Sequence, residues 1–128
     1  MMRAQNVFNT ATAFLFEQAG EDADFKKHAP AILNLLVIEA LPHENTHRAA
    51  LGQAELESAP VITTLDDDIP YCEEICRIAL PFGLASYFYQ DECDNYKAQD
   101  YRARYIDALN EASKAIPTDV QDEYGTEE

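Results

Sequence analysis

Two pairs of residues in this chain carry side chains that ligate metals: Cys72 with Cys76, and His43 with His47. The members of each pair lie four positions apart, so on a helix they share a face. A closed zinc site needs four such groups converging, and the sequence offers no second pair matched to either. Cys72 and Cys76 therefore read as small core or interface residues, since free cysteine is commonly buried. His43 and His47 read as solvent-facing or interface residues. No metal or other cofactor is expected on this basis, and a chelator is expected to leave the melting temperature unchanged. Asp66-Asp67-Asp68 lacks the alternate ligand spacing and the glycine of a calcium loop, and reads instead as a helix start. There is no nucleophile elbow, P-loop or dinucleotide fingerprint. Ser58, Ser86 and Ser113 stand in no catalytic context. With 24 acidic residues, adjacent carboxylates carry no information about acid–base chemistry. No enzymatic activity is expected of this sequence.

Charge narrows the field further. Against those acids stand 9 Lys and Arg, for a formal net charge of −15 over 128 residues. A surface that grips nucleic acid needs clustered bases to replace counterions, and an anionic membrane makes the same demand. Acidity suits solubility, a basic protein partner, or a wall that repels DNA. No run of 18 apolar residues is present to span a bilayer, and Met1 to Gln18 does not read as a signal peptide. Three cysteines, an odd number, suggest reduced thiols in a cytoplasm.

The elements that must position these residues are helical. Val7, Phe8, Ala11, Phe14 and Leu15 predict a first helix from Arg3 to Gln18, ended by Gly20. Asp22 or Asp24 caps a second, to about Leu41, with Pro30 near its start. Its centre, Ile32 to Ile38, is apolar nearly all round, which suits a helix that is central or covered on two sides by neighbours, and Leu36 is expected to be fully buried. A short helix follows over His43 to Leu51, stopped by Gly52. Residues 55–68 show no helical period, and Pro60 to Leu65 form an extended stretch without a partner strand in the chain. Asp68 is the expected N-cap of a third long helix to Gln90, with Glu73 and Glu74 at its positive end. Pro81 and Gly83 inside it predict a kink or a close helix contact. The last helix spans Cys93 to Ile116, with Tyr101, Tyr105, Ala108, Leu109 and Ala112 inward and an Asp100–Arg104 pair outward. Tyr87, Phe88 and Tyr89 are consecutive and cannot all face one core, so at least one belongs at an edge.

The expected fold is thus all-α. It is a small bundle of four longer helices plus one short helix, with a long irregular segment, giving roughly 55–70% helix, well above the average domain. Residues 1–116 form the domain. Residues 117–128 form a flexible acidic tail, five acids with no base and one aromatic, Tyr124, within 118–128.

Three runs carry a resemblance: Leu65-Asp66-Asp67-Asp68-Ile69-Pro70, then Cys76 to Ala85 (Cys-Arg-Ile-Ala-Leu-Pro-Phe-Gly-Leu-Ala), then Tyr101-Arg102-Ala103-Arg104-Tyr105. Together they resemble the head-to-tail connector proteins of tailed phages, also called adaptor or head-completion proteins. Ala31 to Leu36, and Leu41-Pro42 followed by Glu44-Asn45, are consistent with it, so that the likeness covers about residues 3–116. The resemblance implies a virion neck protein, cytoplasmic in the host before assembly. It implies a closed ring of about twelve copies beneath the portal, extending the DNA channel without specific DNA binding. Its partners would be the portal protein, a tail or stopper protein and further copies of itself. Other assembly or tail-completion factors, and an acidic DNA mimic, are the alternatives.

The partner-binding residues expected from the chain are Val61, Ile62, Thr63, Thr64 and Leu65, which would add to a neighbouring subunit as a strand, and Pro117 and Tyr124 in the tail. Both segments are expected to lack hydrogen bonds in the free protein and to gain structure only in the particle.

Overall fold

The computed structural model describes residues 1–15 and 23–114, and 71% of these are helical. The fold is small and mostly α, as composition and periodicity predict. The tail lies outside the described residues.

Helix α1 runs Ala4–Ala13 and buries Ala4, Val7, Phe8, Ala11 and Thr12 on one face. It stops earlier than expected, tightening through Phe14 and Leu15, whose amides reach back only three residues, to Ala11 and Thr12. The predicted continuation to Gln18 and the Gly20 cap fall largely outside the described residues.

Helix α2 is a single element, Ala23–Ala50, with Pro30 and Pro42 inside it. The expected break at Leu41 and the separate short helix are therefore corrected to one rod of 28 residues. An interior proline costs about 3 kcal/mol, so something must hold the turns beyond Pro42. His43, Asn45, His47 and Arg48 all do so, each bonded to a segment distant in the fold. The rod ends where expected. Gly52, at φ 74°, supplies the left-handed residue, while the Gln53 amide bonds the Arg48 carbonyl (2.7 Å) and the Gly52 amide that of Ala49 (3.1 Å).

The irregular stretch after α2 returns along that helix. Asn45 holds Leu56 by both backbone groups (3.0 and 2.8 Å), and Asn34 holds Ile62 in the same way (2.8 and 2.6 Å). Two side-chain amides thus do the work of a partner strand. Asp67 then accepts from the amides of Thr63 (2.6 Å) and Thr64 (3.0 Å), bonds that hold its carboxyl below the usual range.

A small sheet follows, where none was expected. Strand β1, Met2–Arg3, pairs antiparallel with β2, Asp68–Ile69, with Met2 opposite Ile69 and Arg3 opposite Asp68. Asp68 is therefore in a strand and not an N-cap. Pro70 is the reason, because the residue before a proline is pushed away from helical geometry.

Helical geometry resumes at Glu73, with a π turn over Ile75–Ala79 closed by the Leu80 amide on the Ile75 carbonyl. The wide turn directly precedes Pro81, which has no amide to give, so the expected irregularity takes this form. Helix α3, Leu80–Asp91, forms the centre of the molecule and packs on α1, α2 and α4. The predicted close contact is at Gly83. A Cβ there would lie 2.9 Å from Tyr105 Cδ1 and 3.0 Å from Leu36 Cδ2. Cys93 takes the left-handed cap position at φ 62°, and Asp94 caps α4, Asn95–Ser113, by accepting from the Lys97 amide.

The aromatic residues form a chain through the core. Phe25 stacks on Phe88 (4.3 Å between centroids) and Tyr89 on Tyr101 (5.4 Å). Phe88 and Tyr89 are buried and Tyr87 is half-buried, at the edge. Leu33, Leu36, Val37 and Ala40 of α2 are wholly buried.

Helices α2 and α4 are strapped by Arg102, which donates to both oxygens of Glu39 (3.0 and 2.8 Å). Those bonds lower the Glu39 carboxyl, against the opposing effect of burial. A carboxyl depressed in the folded state stabilises above its ordinary value of 4.5 and loses that contribution as pH falls through the folded value. Because the pair is partly exposed, its worth is under about 1 kcal/mol. Glu39→Gln should flatten the stability profile below about pH 4.5, measured by urea titration across pH, and leave it unchanged near neutrality apart from that small offset.

Candidate functional site

A connected group of polar side chains lies where the C-terminal half of α2 meets the end of α4 and the turn into the π segment. Glu44 is its hub, only 2% exposed. Its carboxylate accepts from Arg48 Nε and from the Cys72 amide (2.7 Å). Arg48 also donates to the carbonyls of Ala54 (3.1 Å) and Pro70 (2.8 Å). One buried charge pair therefore gathers α2, the loop after it and the segment following β2. Beside it opens a cavity of about 540 Å³ lined by Met2, His47, Arg48, Tyr71, Cys72 and Cys76, among others.

Of the two readings the spacing left for the histidines, solvent-facing or interface, the first is corrected: neither faces solvent freely. His47 is buried, and its Nδ1 is 2.9 Å from the Ala112 carbonyl. A carbonyl only accepts, so Nδ1 carries a hydrogen, and in the neutral ring the lone pair is on Nε2. His43 is half-buried, with Nδ1 2.8 Å from Ser113 Oγ. Ser113 gives its own hydrogen to the Leu109 carbonyl (3.1 Å), so the imidazole donates to the serine. That is the reverse of what a serine nucleophile requires.

Of the two cysteines expected to be small core or interface residues, Cys76 is in the core and Cys72 is half-buried. Cys76 is buried and aims its S–H at the Ile69 and Tyr71 carbonyls (3.7 and 3.6 Å). Burial pushes both Cys72 and Cys76 up to about 12, so neither free thiol offers a nucleophilic thiolate near neutrality. Tyr71 is raised as well, chiefly by burial, and donates to the Val37 carbonyl (2.6 Å). Among the described residues, the group with metal-ligating atoms close together is His47, Cys72 and Glu74, all within 4.8 Å of one another. The sequence pairs, cysteine with cysteine and histidine with histidine, are not what the fold brings together.

The expected partner-binding residues are split by the fold. Val61 is 78% exposed, while Ile62 and Leu65 are buried in the protein's own core. Thr63 and Thr64 are exposed, with amides bonded to Asp67. The Ile62 amide is bonded to Asn34 and the Leu65 carbonyl to the Gln5 amide (2.7 Å). The expectation of a segment without hydrogen bonds is thus corrected: these bonds come from side chains and from α1, not from a strand. Pro117 and Tyr124 lie outside the described residues.

Sequence reasoning missed a different surface. Helix α2 was expected to be central or covered on two sides, and its remaining face carries large apolar side chains, with Leu35 54% exposed and Ile38 61%. They lie three residues apart, on one face, directly opposite the buried Leu33, Leu36 and Val37.

No protein-family model, curated protein or solved structure matches the chain. Among the described residues no helix is long and apolar enough to cross a membrane.

Proposed function

We propose that this protein is a structural connector of a tailed phage, a ring subunit between portal and tail that extends the DNA channel. The observation that carries the reading is the outer face of α2. Leu35 and Ile38 are large apolar side chains left in water on the helix that supplies much of the core. Contiguous apolar surface of this kind suits a protein completed by its neighbours. The resemblance of residues 65–70, 76–85 and 101–105 to connector proteins supplies the identity of those neighbours: further copies, the portal above, and a tail or stopper protein below. The net charge of −15 fits a channel wall that lets DNA pass without holding it. The histidine–serine geometry and the protonated thiols support a structural role over a catalytic one. Val61 and the tail residues Pro117 and Tyr124 remain partner-binding positions on this reading. The protein would reside in the host cytoplasm before assembly and in the virion neck after it.

The test is incorporation. Leu35→Asp together with Ile38→Asp should change stability by no more than about 0.5 kcal/mol per site, as exposed positions do. Particles made with that protein should lack it at the neck and be recovered as DNA-filled heads without tails, seen by electron microscopy. Normal infectious particles from the double variant would overturn the role of this face. Absence of the wild-type protein from purified virions would overturn the connector reading itself.

A further inference from the structure

We propose that His47 and Cys72, which line the cavity beside α2, bind one zinc ion together with the neighbouring Glu74. Their ligand atoms already lie within 4.8 Å of one another. Around a tetrahedral zinc, with bonds of 2.0–2.3 Å, ligand atoms sit roughly 3.5 Å apart. The closing movement of about 1 Å falls most easily to Glu74, whose side chain is exposed at the start of its helix.

The histidine is prepared for the task. Its Nδ1–H is committed to the Ala112 carbonyl, which fixes the ring and leaves Nε2 as the nitrogen able to take a metal. Metal-bound histidines are characteristically oriented by such a second bond. Cys72 is held in turn, its amide bound to the buried carboxylate of Glu44. The two first ligands thus rest on a pre-formed polar frame that joins α2, α4 and the turn into the π segment. Cys76 points its hydrogen inward at two carbonyls, and His43 has no ligand atom within the group formed by His47, Cys72 and Glu74.

The ligand chemistry selects the ion. One thiolate, one imidazole and one carboxylate are a set that zinc takes, and the hard cations magnesium and calcium favour oxygen alone. Binding displaces the Cys72 thiol proton to solvent, forming the sulfur–zinc bond, while His47 enters neutral. Thiolate and carboxylate balance the two positive charges. Three protein ligands leave the fourth position to water. This inference is independent of the connector reading and reverses the expectation, drawn from spacing alone, that no metal binds.

The experiment uses the purified full chain with zinc chloride, and cobalt(II) as its visible stand-in. Calorimetry should give one zinc per chain, and zinc should raise the Tm in a manner that a chelator reverses. The cobalt form should show a sulfur-to-cobalt charge-transfer band. Cys72→Ser should abolish the band, Cys93→Ser should leave it intact, and the exposed change Glu74→Gln should weaken binding by about tenfold or more. Loss of the band in Cys93→Ser with retention in Cys72→Ser would overturn the proposal. So would a Tm and a calorimetric trace that zinc leaves unchanged.

Discussion

Glu44→Ala should destabilise the protein by about 3 kcal/mol, the lower end of the range for breaking a buried ion pair. The carboxylate is nearly inaccessible, whereas the Arg48 side chain retains 21% of its exposure, and that residual hydration places the cost at the lower end. Removing the carboxylate leaves the guanidinium with two carbonyls and no counter-charge, and it leaves the Cys72 amide without its acceptor. Those losses coincide at the joint between α2, the loop after it and the turn before the π segment. Guanidinium titration should show a lower midpoint at unchanged slope. Glu44→Gln keeps the shape and one acceptor oxygen, so it should cost less than the alanine change. A loss below about 1 kcal/mol for Glu44→Ala would mean that Arg48 is held by its carbonyls alone.

Leu36→Ala should cost about 2–5 kcal/mol, because the side chain is wholly buried and its neighbours can fill little of the space. The neighbourhood makes a second measurement more telling. Gly83→Ala places a methyl group against Tyr105 and Leu36, and Tyr105 is tethered by its hydroxyl to the Leu36 carbonyl (3.2 Å) and to Glu39 (3.1 Å). The ring has little freedom to yield, so overpacking should cost about 1–3 kcal/mol. In the double variant the shortened residue 36 makes room for the new methyl group, and the combined loss should fall below the sum of the two. Strict additivity in chemical denaturation would show that the tyrosine alone resists the methyl group.

Local patterns carried much of this fold. The stripes of α1 and α4, the Gly52 stop and the crowding at Gly83 are consequences of spacing and of single-residue geometry. Pro42 misled because proline's local preference for ending a helix was outweighed by distant bonds from His43, Asn45, His47 and Arg48. Asp68 misled because a good capping residue is also acceptable in a short edge strand, and Pro70 decided between the two. The paired strands are two residues each, too short for any periodicity. Asn34 and Asn45 read as ordinary helix residues, since nothing local announces that an amide will serve as the edge of a sheet. At the polar cluster the sequence suggested pairs by proximity along the chain. The fold instead joins His47 with Cys72 across 25 positions, a combination that spacing within one helix does not reveal.

Asn34 and Asn45 also set which length changes the protein can survive. They lie eleven positions apart on α2, about 16 Å along a helix and close to three whole turns. The six steps of chain from Leu56 to Ile62 span at most about 20 Å when extended, a near match with slight slack. Inserting one residue into α2 between the asparagines would rotate Asn45 by about 100° relative to Asn34, and one of the two amides would lose its target. Inserting one residue between Leu56 and Ile62 would only bow the returning chain outward, with both anchors kept. Over evolutionary time, insertions and deletions should therefore accumulate on the loop side and be purged from the helix side, which acts as a ruler for the segment laid along it.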